Sequence, residues 1–276
     1  MRQKPVAGQL LAGTILLALA GAATADTSKP TVSVSAVEYS GSEGAMPGHL
    51  YAPDLAAQLP AVLVLHTSAG LGPNLEAFAK RLADEGYVTF TPDFFALHDF
   101  GPDGRTDHPL ILKDLDGALD YLASHHRVDR ERLGVVGFSF GGRAAVILAA
   151  THPARLRAVV SYYAVTSHPH LGSSLSGRAA RAEPLPALVH VIRAPLLLHH
   201  GEADGNVPVE QARLLHRAMR AVGKSSTLFT YPGADHLFNF SIGPDVRFHP
   251  AAAELSWTRT VHFLDQQLKA GLGGRP

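Results

Sequence analysis

The 276-residue chain contains no cysteine. That absence excludes disulfides, thiolate metal sites and a cysteine nucleophile together. It also excludes a lipid anchor on an N-terminal cysteine. Neither sign of charge is in excess: Lys plus Arg and Asp plus Glu are 24 each. No basic field therefore points to nucleic acid. No His-Glu-x-x-His occurs, so the 16 histidines offer no familiar zinc spacing. The glycine-rich turn at residues 137–142 is neither a Gly-x-Gly-x-x-Gly nor a phosphate loop ending in Gly-Lys-Ser/Thr, which argues against a dinucleotide or nucleotide cofactor there. Internal repeats and low-complexity tracts are also lacking.

What is present begins with an export pattern. "MRQK" is a short basic start, "LLAGTILLALAGAA" an apolar stretch, and Ala23-Thr24-Ala25 a run of small residues before Asp26. The apolar run from Val6 to Ala23 is interrupted by Gln9 and Thr14 and is short for a membrane span. Residues 1–25 thus read as a signal peptide, and the protein is expected to be periplasmic or secreted, with no membrane span once the signal is cleaved. Residues 26–276 suffice for a single α/β domain, and a hydrophobic fraction of 46% argues against disorder.

Within that domain, "TVSVSAVEYS" alternates at period 2, with Val32, Val34 and Ala36 on one face, as in a strand with one wet side. "PGHLYAP" is its expected hairpin partner. The pattern then changes. "AVLVLH", "YVTFTP", "RLGVVGF", "RAVVSYY", "APLLLHHG" and "STLFTYPG" are short, continuous apolar runs, as in strands buried on both faces. Between them lie helical periodicities, such as Leu75, Phe78, Ala79 and Leu82, closed by Gly86. Alternating strands and helices imply a mostly parallel sheet with helices on both faces. Residues 165–193 exceed a usual crossover and read as a cap or a surface excursion.

The chemistry centres on "GVVGFSFGG", Gly134 to Gly142. A Gly-x-Ser-x-Gly between an apolar strand and a helix is the context of a nucleophile elbow at Ser139. Glycines flank such a serine because strand and helix must approach closely. A serine hydroxyl needs a base to take its proton, and the base needs an orienting acid. In this architecture the order is Ser, acid, His, each on a loop beyond a strand. "HHGEADGNVP" supplies Asp204, and "YPGADHLF" supplies His236. Glu202 and Asp235 are rival acids, of which Asp235 adjoins the histidine and is the poorer orienter. An oxyanion needs two N–H donors. Phe140, just past the nucleophile, is one source, and Thr67 or Ser68 in "HTSAG" is the other.

These segments resemble the dienelactone hydrolases of the α/β-hydrolase superfamily, from about Pro60 to Leu268. "LPAVLVLHTSAGL", "AFAKRLADEGYVTFTPDFF", "GVVGFSFGG", "HHGEADGNVP" and "YPGADHLF" carry the resemblance. It implies an α/β-hydrolase fold, Ser139, Asp204 and His236 as nucleophile, acid and base, and oxyanion donors at Phe140 and Ser68. It implies no cofactor, and a small ester or lactone as substrate. Three departures stand out. Family members that open dienelactones carry Cys in the elbow, a Glu where Thr67 stands, and a carboxylate-binding Arg where Phe240 stands. A serine esterase of a related branch fits these departures. A peptidase or acyltransferase on the same fold, and a non-catalytic exported binding protein, stay open at this point. Thr67, His66, Phe94 and Phe240 are candidate pocket residues. Of His199 and His200, one is expected to face the site and one the opposite side. Arg247 reads as a surface arginine or an anion ligand.

Overall fold

The computed structural model describes Met1 and residues 29–98, 109–166, 184–243 and 247–270. The segment expected to be a signal peptide, and most of the expected insertion at 165–193 with its histidines at 168 and 170, lie outside the described residues. Eight strands form one sheet. They are β1 (Val32–Ser40), β2 (Ala45–Pro53), β3 (Leu59–Leu65), β4 (Val88–Pro92), β5 (Val128–Phe138), β6 (Leu156–Tyr162), β7 (Leu196–Gly201) and β8 (Ser226–Tyr231). Their spatial order is β1-β2-β4-β3-β5-β6-β7-β8. β1 and β2 form a hairpin, β2 runs antiparallel to β4, and every later pairing is parallel.

The continuous apolar runs have their cause in this layout. β3, β4 and β7 are buried at every position. Alternate residues serve two cores: Leu63 and Leu65 face one side, Val62 and Val64 the other. On the first side lie α2 (Pro109–Ser124), α3 (Phe140–Thr151), the short α4 (Leu185–Leu188) and α5 (Glu210–Ala221). On the second lie α1 (Pro73–Asp84) and α6 (Pro250–Leu264), which continues into a π-helical turn at Asp265–Lys269. The sheet is therefore mostly parallel with helices on both faces.

Two expectations need correction. Val34 and Ala36 of β1 face solvent, with Val34 53% exposed, while Tyr39 is buried against Phe90 and Val37 packs on the core. β1 is an edge strand, so alternation alone named the wrong face as the inner one. β8, at the other edge, is only partly buried despite its apolar run. The described residues at either end of the expected insertion meet. Leu185 N–H donates to Thr166 O at 2.8 Å, and the Thr166 hydroxyl donates to Gln211 O at 2.6 Å.

A polar network crosses the second core. Tyr162 OH donates to Ser256 O (3.2 Å) and so accepts from the Thr260 hydroxyl (2.7 Å). Thr260 Oγ1 in turn accepts from His199 Nε2–H (3.1 Å), leaving His199 Nδ1 to accept from Tyr231 OH (2.7 Å). This directional chain needs a neutral imidazole. Burial, helped by the nearby Arg259 charge, lowers the His199 pKa to about 3.

Between that value and the unfolded histidine value, the unfolded chain binds more protons at this residue than the folded one. The stability His199 contributes is thus complete above the unfolded pKa and falls as pH drops towards the folded one. Urea midpoints measured between pH 6 and 4 should decline. His199→Gln should flatten that decline by up to about 1.4 kcal/mol per pH unit, the share of one proton. An unchanged slope in the variant would contradict a neutral buried His199.

Candidate active site

β5 ends in Phe138 and α3 begins at Phe140, so Ser139 alone makes the turn. Its φ is 52°. That left-handed conformation is costly for a residue with a Cβ. The neighbouring glycines permit it. A Cβ on Gly137 would sit 2.0 Å from Gly141 O, and one on Gly141 would sit 2.4 Å from Leu65 O. The ends of β3 and β5 and the start of α3 therefore touch backbone to backbone. Ser139 N–H is tied to Tyr162 O at 2.9 Å.

His236 lies on the loop after β8 and Asp204 on the loop after β7. His236 Nε2 is 3.0 Å from Ser139 Oγ, and His236 Nδ1 is 2.8 Å from Asp204 Oδ2. Asp204 Oδ1 accepts from Asn206 N–H (2.9 Å) and Val207 N–H (2.7 Å). The acid thus closes an Asx turn with one oxygen and faces the imidazole with the other. Burial alone would raise its pKa. Hydrogen bonds from His200 and His236, the His236 charge and the Val207 amide outweigh that and hold the carboxyl well below the usual range.

The rival acids have other partners. Glu202 is exposed and accepts from the Thr230 hydroxyl (2.6 Å). Asp235 Oδ1 accepts from both Gly205 N–H (2.9 Å) and His236 N–H (2.6 Å), so it clips the two loops together. Arg247 lies behind it, 3.3 Å from Asp235 and bonded to Asn206 Oδ1 (3.2 Å). Neither Asp235 nor Arg247 was legible as a loop clip in the sequence, since the contact joins separate loops.

The loop after β3 folds onto the elbow. Thr67 O accepts from His66 Nδ1–H (2.7 Å) and Gly70 N–H (3.1 Å). In a trans peptide the N–H points opposite to the C=O of the same unit. Pinning Thr67 O therefore fixes the direction of Ser68 N–H. Phe140 N–H is at the first helical position, where it has no intrahelical acceptor and adds to the positive end of the helix dipole. The Thr67 hydroxyl accepts from Ala69 N–H (3.1 Å), closing its own turn. His66 is fully buried and stacked on Phe94 at 3.6 Å, and burial lowers its pKa to about 4. Phe95 and Phe140 complete this aromatic cluster. Phe240 packs on Phe138 at 5.0 Å. An open depression near Leu156, Arg157, Arg193 and Pro195 lies at the N-terminal ends of β6 and β7, the far edge from Ser139.

A hydroxyl, an imidazole and a carboxylate hydrogen-bonded in series can pass the hydroxyl proton to the imidazole. The family profile for dienelactone hydrolases matches residues 46–268. The chain belongs to the dienelactone hydrolase family. It is accordingly a hydrolase of the α/β-hydrolase fold. It is similar to a protein of Escherichia coli (strain K12) that bears the provisional name carboxymethylenebutenolidase, with 28% identity covering 75% of this chain and 77% of that one. A Bradyrhizobium protein, provisionally named a 2-oxo-3-(5-oxofuran-2-ylidene)propanoate lactonase, is 29% identical over 78% of this chain and 87% of its own. Among solved structures, a provisionally named dienelactone hydrolase of Klebsiella pneumoniae subsp. pneumoniae MGH 78578 superposes with a TM-score of 0.69. Its identity is 26%, with 85% of this chain and 99% of that chain covered. No described helix is long and apolar enough to cross a membrane.

Proposed function

We propose that the protein hydrolyses small esters or lactones through an acyl-serine intermediate. Ser139 Oγ attacks the carbonyl carbon while His236 Nε2 takes its proton. The Asp204 carboxylate orients the imidazole and stabilises its charged form. The carbonyl oxygen, now negative, accepts from Phe140 N–H and Ser68 N–H. Collapse expels the alcohol oxygen, which receives the proton from His236. Water then attacks the acyl carbon, gives a proton to His236, and Ser139 leaves with that proton restored. In a lactone the expelled alcohol remains part of the acyl chain, and the second step releases a single hydroxy acid.

The observation that carries the proposal is the unbroken set of contacts from Ser139 Oγ through His236 to Asp204, 3.0 and 2.8 Å long. The names of similar proteins, among them a lactonase, support an ester or lactone carbonyl as the target. Phe240 stands where dienelactone openers hold a substrate carboxylate with arginine, so we infer a neutral acyl group. We also infer that residues 1–25 direct export.

Ser139→Ala should lower kcat on short p-nitrophenyl esters by at least about 10³-fold and abolish labelling by a fluorophosphonate probe. Retained turnover would end the proposal. A panel of esters matched in size should favour neutral over monoanionic acyl groups at least tenfold in kcat/KM, a discrimination worth about 1.4 kcal/mol. The opposite preference would overturn the assignment of Phe240. Protein recovered from the periplasmic or extracellular fraction should begin at Asp26 on N-terminal sequencing. Retention of Met1 there would refute cleavage.

A further inference from the structure

His200 is fully buried beside the acid, and the mechanism above does not use it. β7 turns His199 towards α6 and His200 towards the opposite side, where its Nε2 lies 2.8 Å from Val207 O and 3.3 Å from Asp204 Oδ2. Both neighbours are acceptors, so Nε2 carries a proton. Nδ1 has no hydrogen-bond partner. Among the described residues, the polar contacts of this ring thus serve the loop that carries Asp204. Two amides bond Oδ1 and His236 Nδ1–H bonds Oδ2, while the His200 N–H, bonded to Val207 O, lies against Oδ2 as a secondary contact.

We propose that His200 is a positioning residue that acts through Asp204 to set the basicity of His236. This rests on the proposed roles of Ser139, His236 and Asp204. The positive edge of the His200 N–H and the His236 Nδ1–H donor face one oxygen, at 3.3 and 2.8 Å. Electron density held by His200 is not available to stabilise the His236 imidazolium. Val207 O anchors the His200 ring, so its contact with the carboxylate is held in place. The result is an acid that is fixed in place yet moderated in strength. The other groups around His236 leave this assignment intact. Tyr163 packs on its ring at 4.7 Å, and burial pushes that phenol well above its usual range. Asp235 bonds the His236 main chain and is itself paired with Arg247.

The test is the pH dependence of kcat/KM and of fluorophosphonate inactivation for the native chain, His200→Phe and His200→Gln. His200→Phe should move the acid limb of both profiles upward by about one pH unit, because the freed Asp204 oxygen binds the His236 imidazolium more tightly. His200→Gln, which can donate to the same oxygen, should return the limb towards its native position. A merely structural role would lower the plateau in both variants and leave the limb in place. That outcome overturns the proposal. It is also distinct from failure of the underlying mechanism, in which labelling would persist in Ser139→Ala. Far-ultraviolet circular dichroism and a two-state urea midpoint for each variant confirm that the folded enzyme is being titrated.

Discussion

The close approach at Gly137 and Gly141 is the constraint on which the rest of the site depends. No side chain fits between the end of β5, the start of α3 and the carbonyls of Leu65 and His66. Contact at that range aligns three backbone segments at once. On the proposed mechanism, it places the first amides of α3 and the Thr67–Ser68 peptide where the oxyanion forms. The cost is the left-handed backbone at Ser139. Two other described non-glycine residues have positive φ, Tyr163 (37°) and Leu237 (61°), and both adjoin His236: one packs on its ring, the other follows it in sequence. Strain of order 1–3 kcal/mol per residue persists only where surrounding structure over-determines it. Here the whole of it sits around one hydroxyl and one imidazole.

Hydrogen bonds between loops supply much of that over-determination, beside the aromatic packing of Tyr163. Glu202 N–H and Ala203 N–H donate to Tyr231 O and Ala234 O, both at 2.9 Å, which joins the acid loop to the histidine loop. Asp235 adds a second clip with its side chain. Tyr163 N–H donates to His199 O (2.7 Å), and Tyr163 OH to Asn239 Oδ1 (2.7 Å). Beneath them, the Tyr231–His199–Thr260–Tyr162 chain fixes β6, β7 and β8 to α6. Buried polar groups that are fully paired specify one arrangement, because any shift leaves several of them unsatisfied. The geometry at Ser139 is thereby tied to residues that never touch a substrate.

The sequence made the sheet legible because parallel strands buried on both faces show as unbroken apolar runs. β3 and β7 are of that kind. It was less informative at the edges. In β1 both alternating faces carry valines, so periodicity did not distinguish Val34, in solvent, from Val37, against the core. Ser139, Asp204 and His236 stood out because each follows a strand and their order is restrictive. His200 did not. Next to His199 it looked like half of a pair divided between two faces, and only the path of the acid loop shows that Val207 O and Asp204 Oδ2 meet at its Nε2. Asp235 was legible as a weak orienter but not as a clip, since Gly205 is 30 residues away. Contacts that depend on two loops converging leave no local pattern.

The exchange of thiol for hydroxyl accounts for other departures from the resemblance. A thiol ionises near neutral pH, so a nearby carboxylate can restrain it without abolishing reactivity. A serine hydroxyl releases its proton only as it attacks, and a negative charge beside it would oppose both that step and the oxyanion that follows. Thr67 is neutral, and its hydroxyl is occupied by Ala69 N–H. On the proposed mechanism, the negative charge required at the site is confined to Asp204, on the far side of His236 from the reacting carbonyl. The donors on Asp204, the Asn206 and Val207 amides and His236 Nδ1–H, keep it there. A serine nucleophile in this fold therefore calls for a neutral group such as Thr67 where thiol enzymes carry Glu, and for a strongly polar surround behind the imidazole, as at Asp204.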